Sequence, residues 1–358
     1  MSGNSDTPSL VVARPTLNVD GQDRPALAEA LINLLIVENM NGLYRSEAAF
    51  VNWGTRDNTL KFLYFDRQLL EFGKSFKIKL GADTLFDGRI TALEARFPAN
   101  RPPELNVLAE DRFQDLRMTR RTRTFADMSD SGVIQQLATD HGLTPSVSAS
   151  GPTYKVLAQI NQSDLAFLRE RARAIDAELW MDGSTLNVKS HSNRNGATLE
   201  LGYGSNLHEF TALADVAQQR TSVSVNGWDV SGKSGLKYEA TESAISNELN
   251  GDTSGISILQ SAFGARKEAL AHTVPLNDQE AQAEAETYLK LMARRFVTGR
   301  GVADTSGQLR VGNYVNLQGL GPLFNGKYYV TEVQHVFDLG RGLRTEFLAE
   351  RPGLGRAQ

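Results

Sequence analysis

One stretch of the 358-residue sequence fits a chemistry-bearing pattern outright. Gly227-Trp-Asp-Val-Ser-Gly232-Lys233-Ser234 has the G-x4-G-K-[ST] spacing of a phosphate-binding loop. Such a loop needs a buried parallel strand before it and a helix directly after it, whose N-terminal amides hold the phosphates. Here Ser222-Val-Ser-Val225 alternates like a half-exposed antiparallel strand, and Gly235 weakens the start of any helix. The stretch therefore reads as a strand running into a Gly/Ser turn. Gly202-Tyr-Gly204 opens a dinucleotide-like pattern, but Leu207 stands where its third glycine belongs, so it reads as a turn before a strand.

The remaining chemistry-bearing residues form no catalytic pattern. His141, His191, His208, His272 and His335 show neither His-x-His nor HExxH spacing, so no zinc ligand set is visible. There is no G-x-S-x-G elbow and no cysteine, which excludes disulfides, thiolate metal sites and cysteine nucleophiles. The 42 Asp and Glu residues leave glycosidase-type carboxylate pairing open, because their separation is a property of the fold. The run Arg117-Met-Thr-Arg-Arg-Thr-Arg123 is basic but short and free of aromatics, and reads as a solvated strand face or half of a charged subunit contact. No catalytic, cofactor-binding or metal-ligating residue is assigned, and no cofactor is expected.

Charge and length narrow the class further. The balance of 38 Lys and Arg against 42 acids gives a net charge of −4, unsuited to specific nucleic-acid binding. With 41% hydrophobic and 22% charged residues the chain reads as globular, long enough for two or three compact units. Residues 1–15 lack a basic segment followed by an apolar run, and residues 31–37, the longest apolar stretch, fall far short of the ~20 residues of a membrane span. The expectation is a soluble product made in the cytoplasm, without stable membrane insertion.

Strand-like patterning dominates residues 16–112. Residues 16–19 end at Asp20-Gly21, residues 31–37, 48–51 and 60–65 follow, and Phe76-Lys-Ile-Lys-Leu80 alternates with period two. Asp87-Gly88 reads as a two-residue hairpin turn leading into residues 89–97. After Arg112 the period changes. Met128-Ser-Asp130 supplies caps for a helix carrying Val133, Ile134, Leu137 and Ala138 on one face, stopped by His141-Gly142. Asn161-Gln-Ser-Asp164 starts a second helix with Leu165, Leu168, Ala172 and Ile175 on one face, and residues 179–188 make a hairpin around Asp182-Gly183. Strands return at residues 199–201 and 223–225. Residues 231–277, rich in Ser, Gly, Asn and Thr, read as a flexible excursion. Asn277 and Glu280 have capping-box spacing for a helix with Ala285, Tyr288, Leu289, Met292 and Phe296 on its apolar face. Strands at residues 314–317, 327–337 and 343–349 complete the chain, with Asn325-Gly326 as a hairpin turn.

Two landmarks recur in order. Leu85-Phe-Asp-Gly88 returns as Leu323-Phe-Asn-Gly326, an offset of 238, and Leu108-Ala-Glu110 returns as Leu348-Ala-Glu350, an offset of 240. A period-two strand precedes the first landmark and a long strand with Glu94 or Glu332 follows it in both copies. The series suggests a duplicated β domain.

With these stretches in order, the chain resembles the late control protein D family, the baseplate hubs of contractile phage tails, and the hub part of VgrG-like proteins of contractile injection systems. The resemblance lies in Val133-Ile-Gln-Gln-Leu137 to His141-Gly-Leu143, Asn161-Gln-Ser-Asp-Leu165-Ala-Phe-Leu168 after Tyr154-Lys-Val156, Ala177-Glu-Leu-Trp180, Leu201-Gly-Tyr-Gly204 with Asn206, Leu207 and Phe210, Val225-Asn-Gly-Trp-Asp229, Leu309-Arg-Val-Gly312-Asn-Tyr-Val315, Phe324-Asn-Gly326-Lys-Tyr-Tyr-Val330, His335 and Gly342-Leu-Arg-Thr345. It covers residues 110–352, the first barrel resting on the repeat.

The resemblance implies an α+β, mainly β fold. Two tail-tube-like β-barrel domains related by internal duplication would occupy residues 1–112 and residues 191–230 with 300–352. A small α+β domain would fill 113–190, and an insertion over 231–299 would carry one helix at about 278–297, with 353–358 a short tail. It also implies a non-enzymatic homotrimer presenting six barrels to a sixfold inner tube and threefold symmetry to a spike. Because only residues 353–358 follow Pro352, the spike is expected to be a separate polypeptide. Partners would be the spike protein, inner tube or tube-initiator proteins and baseplate wedge components, in a phage tail or injection particle. The alternative is a tail-associated cell-wall glycan hydrolase. A stand-alone carbohydrate-binding module has little support, since the aromatics form no surface cluster that the sequence locates.

Overall fold

A computed structural model describes residues 14–194, 196–229 and 232–356. Readings that fall on residues 1–13, on Val230 and Ser231 within the phosphate-loop pattern, and on residues 357–358 lie outside the described residues.

Beside the short Gln22–Asp23 and a separate hairpin of Trp53–Arg56 with Thr59–Phe62, the first part of the chain has six strands: β1 (Thr16–Val19), β2 (Leu31–Asn39), β3 (Arg45–Val51), β4 (Ser75–Leu80), β5 (Asp83–Arg96) and β6 (Glu104–Glu110). They lie side by side in the order β1-β4-β5-β6-β3-β2. Six more come later: β7 (Thr198–Gly202), β8 (Leu207–Ala214), β9 (Val297–Asp304), β10 (Tyr314–Gln318), β11 (Gly326–Asp338) and β12 (Gly342–Arg351). Their order is β7-β10-β11-β12-β9-β8, the same pattern displaced by six strands.

Irregularities recur at matching points. The β5–β6 ladder breaks at Thr91 and the β11–β12 ladder at Thr331, and the threonine hydroxyls donate to the carbonyls of Leu108 and Leu348, at 3.4 and 3.3 Å. The β2–β3 ladder breaks between Leu31 and Asn33, and β8–β9 between Leu207 and Glu209. One difference stands: β1 runs antiparallel to β4, whereas β7 runs parallel to β10.

The two sets form one sheet of thirteen strands, counting the short Gln22–Asp23 beside β1. The joint is an antiparallel ladder between β2 and β11, from Glu332 opposite Asn39 to Asp338 opposite Asn33. The expected barrels are therefore not seen as closed ones: among the described residues no ladder returns β2 to β1 or β8 to β7. The last strand of the first set pairs forward onto the second set instead. Leu34, Ile36, Phe337 and Leu343 bury at the joint in one core with Phe50, Phe76, Ile78 and Val107.

The landmark Leu85-Phe-Asp-Gly88 is corrected by its position. Asp87 and Gly88 sit within β5, opposite Lys77 and Phe76, and the turn falls at Gly81, whose φ of 58° is the left-handed conformation glycine adopts freely. Gly88 is needed for closeness, because a Cβ there would strike the Glu110 carbonyl and the Phe86 ring. The two Thr bulges set an offset of 240, so the 238-residue landmark is displaced by two positions. Asn325-Gly326 is no two-residue turn either, since the helical turn Gly321–Phe324 lies between β10 and β11.

The small α+β unit follows its sequence signals closely. Ser129 caps helix Asp130–Asp140 by accepting the Gly132 N–H, and Ser163 caps helix Asp164–Ala174 by accepting that of Ala166. Val133, Ile134, Leu137, Leu165, Leu168 and Ala172 bury against Phe125, Leu186 and Val188 of the strands beneath.

The flexible excursion expected over 231–277 is instead packed, and the 231–299 insertion carries more than the one helix foreseen at about 278–297. Strand Ser222–Asp229 leaves the large sheet and pairs antiparallel with Ser234–Ala240 and parallel with Lys267–Leu270. Helix Gly255–Phe263 also belongs here, and helix Asp278–Arg294 lays Ala281, Ala285 and Leu289 over Val223 and Val225. Ser and Gly residues such as Ser234, Gly235, Ser254, Gly255 and Ser257 lie within these short elements, whose apolar residues Ile245, Ile256 and Leu270 are buried.

His335 supplies a test of the joint. It faces Ile36, is fully buried, and shares a 2.8 Å hydrogen bond with Thr345. Burial, with Arg310 adding to it, pushes the imidazole down to about 3. Below its ordinary value the unfolded chain holds a proton the folded chain lacks, so stability falls on acidification by ~1.4 kcal/mol per pH unit until about pH 3. His335→Gln is expected to flatten this dependence in urea unfolding between pH 6 and 4, and an unchanged slope would contradict it.

Candidate functional site

Two kinds of feature stand out: a buried charged junction and unpaired sheet edges, of which those of β8 and β5 lie at matching places. The junction is built around Glu178, from strand Ala177–Asp182 of the small unit. Its carboxylate shares a 2.7 Å hydrogen bond with His191 Nδ1 and accepts 2.6 Å bonds from Arg194 Nη1 and the Tyr329 hydroxyl of β11. Arg194 also donates to the Val311 carbonyl at 2.6 Å and lies 4.1 Å from the centre of the Trp180 ring. It fits because Gly312 leaves the space: a Cβ there would collide with the guanidinium, and its φ of 86° suits glycine. Burial raises Glu178, but the His191 hydrogen bond and the Arg194 charge outweigh it and hold the carboxyl at about 2.

Two further ion pairs extend the junction. Arg294, on the long helix of the insertion, bonds Asp176 of the small unit and Glu248 of the insertion, the latter at 2.7 and 2.8 Å. Arg310 pairs with the buried Glu38 of β2 at 2.5 Å, and the Val311 N–H donates to the same carboxylate at 3.3 Å. Each strand set, the small unit and the insertion thus meets another through a charge pair.

Each of these arginines meets at least one carboxylate, which suits the pairs to fixing orientation. Elsewhere His141 pairs with Asp164 and His208 with Asp304, each at 2.8 Å. Among the described residues no group of three or more His, Asp or Glu side chains could hold a metal ion. The phosphate-loop pattern lies on strand Ser222–Asp229 and is followed by strand Ser234–Ala240, without the helix that phosphate binding requires. Arg121 and Arg123 of the basic run face Asp164 at 3.3 and 2.6 Å, and Arg117 pairs with Glu110 at 2.5 Å.

The edges complete the inventory. Among the described residues the only ladder of β8 is with β9, and no strand lies along the outer edge of residues 209–214. β4 covers residues 83–89 of β5, and beyond Thr91 only β6 pairs with it, leaving residues 92–96 open on the other side. Beside that edge Trp53, Phe62, Phe65 and Phe97 contact one another with ring centres 4.9 to 6.2 Å apart. The sequence did not locate this aromatic cluster, since its members are up to 44 residues apart.

The family model for the Alg8 N-terminal domain matches residues 12–338. The chain belongs to this family. No curated protein sequence matches the chain. Among solved structures, the chain of this Alg8 N-terminal domain family member is similar to the 43 kDa tail protein of prophage MuSo2 from Shewanella oneidensis, at 11% identity and TM-score 0.70, over 95% of this chain and 98% of that one. It is similar to a tail protein from Neisseria meningitidis MC58, at 13% identity and TM-score 0.67, over 96% and 97%. The E. coli c3393 protein, a type VI secretion component with structural similarity to the T4 tail proteins gp27 and gp5, matches at 12% identity and TM-score 0.57, over 95% and 79%. The resemblance to tail and VgrG-like proteins read from the sequence therefore holds in the fold across nearly the whole chain. No described helix is long and apolar enough to cross a membrane.

Replacing Glu178 tests the junction. Glu178→Ala leaves Arg194 buried without its partner and is expected to cost about 3–5 kcal/mol, read as a lowered urea midpoint. Because Glu178 is held below its ordinary value, its contribution is present above about pH 4.5 and lost as the pH falls toward 2. The gap between variant and wild type should therefore narrow in acid, and a gap independent of pH would contradict the assignment.

Proposed function

We propose that this chain is a structural baseplate hub: a homotrimer whose pseudo-sixfold ring adapts a sixfold inner tube to a threefold, separately encoded spike in a contractile phage tail or injection system. The observation that carries the reading is the recurrence of one six-strand order, with bulges at the same places, in a single chain. This supports an internal duplication of a tube-like unit, from which three chains would present six copies. A ring with two such units per subunit can meet sixfold and threefold neighbours at once, because symmetry fixes which surfaces can repeat.

The fold shared with tail proteins and a type VI secretion component supports the same reading. Its work would be mechanical: charged pairs hold the units rigidly while tube, hub and spike move together. Spike, tube or tube-initiator and wedge components are the partners this reading requires.

Light scattering on the full-length protein, alone and with its neighbouring spike protein, tests it. The mass of three chains is expected in at least one of the two samples. A monomer in both would contradict the reading, as would peptidoglycan turnover abolished by a single Asp or Glu substitution.

A further inference from the structure

The joint inside the chain is a template for a joint between chains. β11 carries β10 along its first residues and β2 along residues 332–338 on the same side. β5 carries β4 along its first residues, and among the described residues no strand takes the position corresponding to β2. The strand that corresponds to β2 in the second set is β8, whose outer edge is open. Each chain therefore ends in one half of the joint and begins with the other half.

We propose that β8 of one copy pairs antiparallel with residues 92–98 of a second copy, with Ala212 opposite Ala95 and Phe210 opposite Phe97. This deepens the hub reading and rests on it. The register follows from the bulges. Thr91 corresponds to Thr331, an offset of 240, and the break after Leu31 corresponds to that after Leu207, an offset of 176. Within the chain His335 faces Ile36 and Phe337 faces Leu34. Carrying both offsets across turns these pairs into Ala95 with Ala212 and Phe97 with Phe210.

Burial supports the transfer. Phe337 is 1% exposed because the first set covers it, whereas its counterpart Phe97 is 65% exposed and meets Phe62 and Phe65 edge-on. Leu93, Ala95 and Phe97 would share a face with Ala214, Ala212 and Phe210, an apolar match across the joint. Residues 209–215, Glu-Phe-Thr-Ala-Leu-Ala-Asp, contain none of the Lys or Pro residues that usually guard an open edge. Leu213, 60% exposed, lies on that edge.

The absence of cysteine makes the register directly readable. Directly opposed residues have Cα atoms about 4.5–5.5 Å apart, within the disulfide range. The full-length Ala95→Cys/Ala212→Cys variant, oxidised with glutathione disulfide, is expected to give two- and three-chain species on a non-reducing gel. Either single variant, and the pair Ala95→Cys/Leu213→Cys whose side chains fall on opposite faces, should give almost none. Phe97→Asp, at a position already exposed in the single chain, should reduce the mass in light scattering threefold, to one chain, with circular dichroism unchanged. A trimer in which Ala95 and Ala212 do not cross-link, or cross-link no better than the mismatched pair, would overturn this joint and leave the hub reading standing. A protein that stays monomeric both alone and with its spike protein would overturn both.

Discussion

The ladder between β2 and β11 is the contact on which the arrangement of this chain depends. It joins two strand sets of the same order through seven opposed residue pairs and buries Phe337 and His335 between them. An open strand edge has to be paired, covered or guarded. With the end strand of the first set covering β11, β8 and the far half of β5 are left, among the described residues, without a strand beside them. The position of the joint thus decides which surfaces are left to meet a neighbour.

The charged pairs act on the same geometry from the side. Glu178 links the small unit to β11 through Tyr329, Arg294 links it to the insertion, and Glu38 with Arg310 bridges the two sets. Buried charges of this kind contribute less to net stability than to the choice of one arrangement over others, since each must find its partner to be tolerated.

Local signals were legible in the sequence and distant ones were not. Ser129, Ser163 and Asn277 announce their helices because a cap acts within one turn, and the structure shows each accepting the backbone N–H three residues on. The Leu108 and Leu348 landmark was also sound, since both residues lie opposite the bulged threonines. Gly88 misled because a glycine needed for close approach looks the same as one needed for a turn. The packed elements between 231 and 277 were obscured because Ser and Gly residues stand inside them, and the junction partners Glu178 and Tyr329 are 151 residues apart with no local pattern to connect them. Sheet closure was likewise beyond reach, because period-two patterning shows which face of a strand is buried but says nothing of which strand lies beside it.

The central claim is that the intrachain joint repeats between chains, making the sheet continuous around a ring. Single-particle electron microscopy of the purified assembly tests this most directly. The account requires three chains in which each β8 lies antiparallel to residues 92–98 of the next, with six similar sheet segments around the axis. A particle in which β8 keeps its outer edge toward solvent, with copies meeting through some other surface, would contradict it.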